Sequence, residues 1–318
     1  MEKMVSSLPQ TVGVDIAKDH LDVCLHPLGT RQRFANDPSG FRALVEWLRP
    51  HAPSRVVFEA TGAYHRAFER TLGDRGLPMV KVNPCQARRF AEATGKRVKT
   101  DQVDAAMLAR FGAVLEPPVR AMTDAVVDQM RELRGAREAL IKDRVAALNR
   151  AKTLANALLK KQNAQRLKQI DAQIAAIDAE LARLVRGSAT LQSRFDTLVS
   201  IPGIAATTAL ALLIEMPELG TLDNGAAASL AGLAPITRES GQWKGKSFIA
   251  GGRATVRRAL YMPAMVAMRF NPDLKAKYDA MIKAGKPAKV AIVAIMRKLV
   301  VLANALLRND RIWVAKTA

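Results

Sequence analysis

The chain has 318 residues and is 49% hydrophobic, enough for two cored domains and too apolar for a disordered protein. Its 49 Lys+Arg against 29 Asp+Glu give a formal net charge of +20, an excess that serves a polyanionic partner, nucleic acid before a charged membrane surface. No uninterrupted apolar run reaches ~18 residues and MEKMVSSLPQ lacks the apolar core of a signal peptide, so a cytoplasmic, nucleoid-associated protein is expected, with no membrane partner.

Thr11 to Ala17 reads as a short apolar strand carrying one acid, Asp15. His20 to Leu25 alternates in polarity, and Arg31 to Ala35 pairs beside it after the Pro27 to Gly29 turn, which gives a meander. Pro38 to Leu48 is predicted helical, with Phe41, Leu44, Val45 and Leu48 on one face. Arg55 to Glu59 is a second apolar strand, Ala63 to Leu72 a helix, and Leu77 to Val82 a third buried strand. A meander followed by alternating helix and strand predicts an α/β domain with a mixed sheet, the element order of RNase H-like folds.

Between Pro118 and Pro202 there is no proline, and only Gly135 and Gly187 interrupt a long helical composition. Leu167, Ile170, Ile174, Ile177, Leu181 and Leu184 alternate steps of three and four, a coiled-coil seam that leaves Lys168, Asp171, Asp178, Glu180 and Arg183 outside it. Met130, Leu133, Leu140, Val145 and Leu148 are the candidate partners within the chain, with another protomer as the alternative. From about Leu198 the texture changes to short helices, glycines and basic residues, and Val290 to Leu307 reads as a structural helix. The expected domains are 1–118, a helical connector at 119–190, and 191–318.

Four acids stand at element ends. Asp15 lies in the first strand, Glu59 ends the run VVFE, and Asp101 and Asp104 sit three apart in KTDQVDAAMLARF, after Thr100 as a plausible N-cap. Val103, Met107 and Phe111 form the neighbouring apolar stripe. Were that helix to cross the sheet near the strand ends, four carboxylates would converge, and their repulsion would require protons or cations. Two divalent metals about 3.5–4 Å apart resolve the repulsion and suit phosphodiester chemistry. Oxygen-only ligands favour Mg²⁺ or Mn²⁺ over zinc. Set against this, a lone strand Asp is commonly a solvated edge residue, and the helical pair could simply favour the helix dipole.

VGVDIAKDHLDV, FEATGAYHRAF, VNPCQARRFAEATGKRVKTDQVDAAMLARFG and RESGQWKGKSFIAGGRATVRRALYM together resemble the transposases of insertion-sequence family one hundred and ten, in that family's order and over nearly the whole chain. The resemblance implies a RuvC-like, RNase H-fold domain with a D-E-D-D set, matched to Asp15, Glu59, Asp101 and Asp104, then a helical connector and a mainly α C-terminal transposase domain. It further implies recombination of donor and target DNA through a serine, matched to Ser240 in Arg238-Glu239-Ser240-Gly241, guided by a structured RNA. Family members assemble as tetramers, dimers of dimers, in which one protomer's acids serve another's serine.

On its own chemistry the serine segment is less specific. Arg238, Lys244, Lys246, Arg253, Arg257 and Arg258 surround Ser240, with Gly241, Gly245, Gly251 and Gly252 allowing close backbone approach. Ser-Gly is also a common turn, and Ser247 competes with Ser240. SIPGIAATTALALL resembles a helix-hairpin-helix, with Ala205 where a second glycine is usual. Lys81, Arg88, Arg89, Lys96, Arg97 and Lys99 form a basic band before the Asp101 pair, suited to gripping a nucleic-acid backbone or, more plainly, to a solvated face. Of the histidines only His65 could approach the acids, and helix packing suits it better; Cys24 and Cys85 are expected to be buried thiols. A water-using RuvC-like nuclease and a non-catalytic nucleic-acid packaging protein are the alternatives that the residues leave open.

Overall fold

The structure is a computed structural model and describes residues 9–59, 64–95, 101–119 and 124–315, the side chains of 101–103 excepted. It divides into two compact units, Met1–Thr123 and Asp124–Ala318, so the connector and the C-terminal region fall within one unit.

The first unit holds a five-stranded mixed sheet in the order β3-β2-β1-β4-β5. Its strands are β1 (Thr11–Ile16), β2 (His20–His26), β3 (Arg31–Ala35), β4 (Arg55–Glu59) and β5 (Met79–Val82). The first three form the antiparallel meander; β4 runs parallel to β1, and β5 parallel to β4. Helix α1 (Pro38–Leu48) begins where Asp37 accepts the Ser39 and Gly40 amides at 2.9 and 2.8 Å, with Pro38 pre-setting the first turn. Helices α1 and α2 (His65–Asp74) cover one sheet face, where Val12, Val14, Val56 and Phe58 meet Phe41, Leu44, Phe68 and Leu72. Helices α3 (Pro84–Ala93) and α4 (Asp101–Leu115) cover the other, where Val57, Val80 and Val82 meet Ala87, Met107, Leu108 and Phe111.

Two glycines set how closely α4 lies on the sheet. A Cβ at Gly13 would collide with the Ala105 carbonyl and the Ala109 amide, and one at Gly112 would come within 2.6 Å of the Val57 and Thr11 methyls. Because the contacts are with backbone on the Gly13 side, no side-chain rotation could relieve them.

The second unit is almost entirely helical. Helices α5 (Ala125–Ala151) and α6 (Ala157–Arg186) form an antiparallel hairpin. Arg137 donates to Asp178 at 2.5 and 3.1 Å and Arg144 to Asp171 at 2.6 Å, a seven-residue step on each helix in opposite directions. Ile170, Leu181 and Leu184 of the expected seam are buried, and Met130 is fully enclosed opposite them. Val145 and Leu148 are half-exposed instead of joining the seam; the positions one residue away, Arg144 and Ala147, face α6, since Ala147 is buried and its carbonyl accepts Asn163 at 3.0 Å.

Beyond the hairpin come α7 (Ala189–Val199), α8 (Ala206–Glu215), α9 (Asn224–Leu230), four two-residue strands β6 to β9, α10 (Ala254–Phe270), α11 (Pro272–Lys283) and α12 (Ala288–Arg308). By length and composition α12 could cross a membrane, although half of its apolar window is buried. Its fully enclosed Ile295, Leu299, Val300 and Ala303 join Leu198, Leu212, Leu260 and Ala264 in one cluster, which makes it the core helix of this unit. Cys24 is buried as expected, whereas Cys85 is exposed at the start of α3, where Asn83 caps the helix and the chain faces outward.

Candidate functional site

The acids are placed by strand alternation. In β1 Thr11, Gly13 and Asp15 lie on the face covered by α4, while Val12, Val14 and Ile16 fill the core on the other. The β1–β4 register pairs Val14 with Phe58, so Asp15 and Glu59 are the next step along neighbouring parallel strands and share the face that Val57 presents to α4. Helix α4 runs antiparallel to β1, with Gly112 over Thr11 and Ala105 and Ala109 over Gly13. One turn further back, its first turn reaches the end of the strand that carries Asp15. That turn carries Asp101 and Asp104. Three of the four acids are on described positions, each half-buried; the side chain of Asp101, like Thr100 and Val103 as side chains, lies outside the described residues. Among the described residues no group of three or more His, Cys, Asp or Glu is arranged to hold a metal ion, so the convergence is one of backbone placement.

A fifth acid belongs to this face. Asp22 on β2 lies directly across from Asp15, is 4% exposed, and takes Arg33 in a bidentate pair at 3.0 and 2.8 Å, with His20 Nε2 3.4 Å away. Directly opposed like charges destabilise a strand pair, and the guanidinium from β3 compensates the second carboxylate. Sequence reasoning missed Asp22, although its place in the alternation of HLDVCLH, in step with Asp15, was the available signal. At the far end of the same face His26 has its pKa lowered, first by burial and then by Arg110.

The basic band divides. Arg88 and Arg89 are exposed on α3, and Lys96, Arg97 and Lys99 lie outside the described residues. Lys81 pairs with Phe58 across the β4–β5 ladder, which puts it on the face away from the acids, and its Nζ lies 2.8 Å from Glu69 of α2. His65 also packs on that side, buried beside Phe58 with ring centroids 6.4 Å apart, as a helix-packing residue.

In the second unit Ser240 sits at the tip of a β-hairpin. β6 (Pro235–Ile236) pairs with β9 (Phe248–Ile249), and β7 (Glu239–Ser240) with β8 (Trp243–Lys244). Ser240 faces Trp243 across a two-residue turn of Gly241 and Gln242, in which Gly241 adopts φ 57°, the first-position glycine of a type II′ turn. Ser240, Ser247, Lys244, Lys246 and Arg258 are exposed, and the Arg238 guanidinium stands 4.9 Å over the Phe248 ring. Arg253 and Arg257 have partners within the fold. Arg253 makes a bidentate pair with Glu218 at 2.7 and 2.6 Å, and Arg257 donates to the Gly251 carbonyl at 2.9 Å. Their guanidiniums fasten the glycine-rich segment to the helical core.

The segment Ser200 to Leu213 does form a helix, tight turn and helix. Gly203 takes φ +103°, and a side chain there would also strike the Pro263 carbonyl and Ala267 of α10, while Ile201 and Ile204 are buried. Ala205, at the N-cap of α8, provides no side-chain hydrogen bond.

Comparison with known proteins gives a consistent result. A family model for DEDD transposases of the IS110 type matches residues 12–160, and one for transposases of the IS116/IS110/IS902 family matches residues 196–279. The pilin gene-inverting protein of Moraxella lacunata is 30% identical over 310 residues, covering 94% of this chain and 96% of its own length, and that of Moraxella bovis matches to the same extent. The insertion element IS110 43.6 kDa protein of Streptomyces coelicolor is 33% identical over 119 residues, 36% of this chain and 29% of its own.

Proposed function

The chain belongs to the IS110 family of transposases, enzymes that recombine DNA, and on that premise we propose that Ser240 is its nucleophile and that Asp15, Glu59, Asp101 and Asp104 hold its divalent cations. The observation that carries the reading is the placement of two strand acids and one helical turn of acids at a single end of one sheet face. The RNase H-like fold is read from the same order of meander, parallel strands and covering helix.

The donor set is all oxygen, which fits Mg²⁺ or Mn²⁺ better than zinc. When bound, such cations activate an attacking oxygen and stabilise the leaving one at a phosphodiester. The chain's own part is to hold carboxylates rigidly. Asp15 and Glu59 are fixed by the sheet, and Asp104 by a helix that Gly13 and Gly112 let lie close on that sheet. Ser240 Oγ would attack phosphorus, its proton passing to a nearby base or water, as the bond to the 3′ oxygen breaks and that oxygen takes up a proton. A phosphoserine and a free 3′-hydroxyl result. Attack of a new 3′-hydroxyl on the phosphoserine then reforms a phosphodiester and releases the serine. Similarity to proteins named for gene inversion favours this route over hydrolysis, since inversion must rejoin every strand it cuts. The serine and the acids lie on different compact units, an arrangement compatible with the acids of one protomer serving the serine of another in a tetramer.

Sequence choice is assigned to a structured guide RNA, with the exposed Arg88, Arg89, Arg238, Lys244, Lys246 and Arg258 gripping nucleic-acid backbones without reading bases. The α5–α6 hairpin is read as the coiled-coil connector.

The test uses purified protein, RNA transcribed from the element and Mg²⁺. Ser240→Ala abolishes covalent protein–DNA adducts, and Asp15→Asn abolishes cleavage while leaving DNA binding in place. Adducts that persist without Ser240 remove it from the chemistry. Cleavage that survives EDTA removes the metals.

A further inference from the structure

Helices α11 and α12 enclose a groove of about 340 Å³ that the proposed chemistry does not use. Its floor is apolar, with Met281 and Ala294, and its rim carries Lys277, Lys286, Arg297 and Lys298. Among the described residues no carboxylate stands within ion-pair distance of any of these four cations. The unit's structural arginines differ in this respect: Arg134 pairs with Glu215 at 2.9 Å, Arg137 with Asp178 and Arg253 with Glu218. The two acids of α11, Asp273 and Asp279, do not line the groove. Four cations gathered without counter-charge repel one another, and an anion is what lowers that energy.

The form of the groove selects the anion. Lysine is a compact point charge on a flexible stem, suited to a run of phosphates and poorly suited to a bidentate pocket for a small ligand. Alanine and methionine on the floor offer no aromatic face on which a splayed base could stack. From Lys277 to Ala284 the lining follows two turns of helix, about 10 Å, which matches about three phosphates of one strand at ~3.4 Å each. We infer that the α11–α12 groove is a second DNA-binding surface, one that holds the phosphate backbone of duplex DNA independently of sequence. The choice of DNA over another polyanion rests on the recombinase reading; the site itself rests on the groove.

The experiment measures affinity for a labelled DNA duplex of arbitrary sequence by fluorescence anisotropy across a salt series, with the full chain and its Lys286→Ala/Lys298→Ala variant. Both lysines are exposed, and thermal melting verifies that the variant folds. Loss of two phosphate contacts lowers the slope of log affinity against log salt by about 1.8 and weakens binding about thirtyfold at ~0.15 M salt. Lys286→Arg/Lys298→Arg keeps the wild-type slope. An unchanged slope in the alanine variant overturns the proposal, and so does a loss confined to a structured RNA probe. The acids are tested by strand cleavage with Asp15→Asn and the groove by the salt slope of the lysine variant, so failure of the acids and failure of the groove appear in different measurements.

Discussion

Gly13 and Asp15 are the two residues on which the candidate site turns, and the sequence displays them unequally. An acid in an otherwise apolar strand is conspicuous, because a carboxylate beside a core needs a partner. The glycine two residues earlier looks like a weak point in a strand until α4 is placed over it. It is the reason the acids of α4 can lie near Asp15 at all. Gly13→Ala pushes a methyl into backbone that cannot rotate away, and a loss of about 3 kcal/mol is expected, read as a lower urea midpoint. A midpoint within experimental error of the wild type would mean that α4 stands further off the sheet. Asp22 remained illegible for a related reason. Its burial and its guanidinium partner depend on the register of β3 against β2, which sets Arg33 across from Asp22 and which the predicted meander leaves open.

At the scale of elements, legibility followed periodicity. The meander was readable from the alternation in β2 and the turn that follows it, α1 from apolar residues on one helical face, and β4 from a short apolar run. The α6 seam was readable because six aliphatic residues repeat at steps of three and four. Its partner on α5 was only half readable, since the contacting positions there include Arg137, Arg144 and Ala147, which carry no apolar signal. The arginines hold register instead. Arg137 and Asp178 are 19% and 44% exposed, so their coupling is modest, and a double-mutant cycle over Arg137→Ala and Asp178→Ala should give about 0.5–1 kcal/mol, diminishing at high salt. A coupling of zero at low salt would leave the buried aliphatics alone to set the register. Lys81, Arg253 and Arg257 teach the converse: cations read from sequence as facing phosphate have carboxylate or carbonyl partners in the fold.

For the whole molecule, the hydrophobic clusters keep to the two units. Those of the first unit draw on residues between Val12 and Phe111, and those of the second on residues between Val127 and Leu306, with none shared among the described residues. Each unit therefore has its own reason to fold, and a single cooperative transition is not required. Calorimetry of the intact chain should resolve two transitions, and Gly13→Ala should move only the one belonging to the first unit. A destabilised first unit would open while the hairpin, the serine strands and the α11–α12 groove stay folded, so duplex binding through that groove would persist at temperatures where cleavage has ceased. If both transitions shift together with Gly13→Ala, the units are energetically coupled, and loss of the acids' geometry would carry the serine and the groove with it.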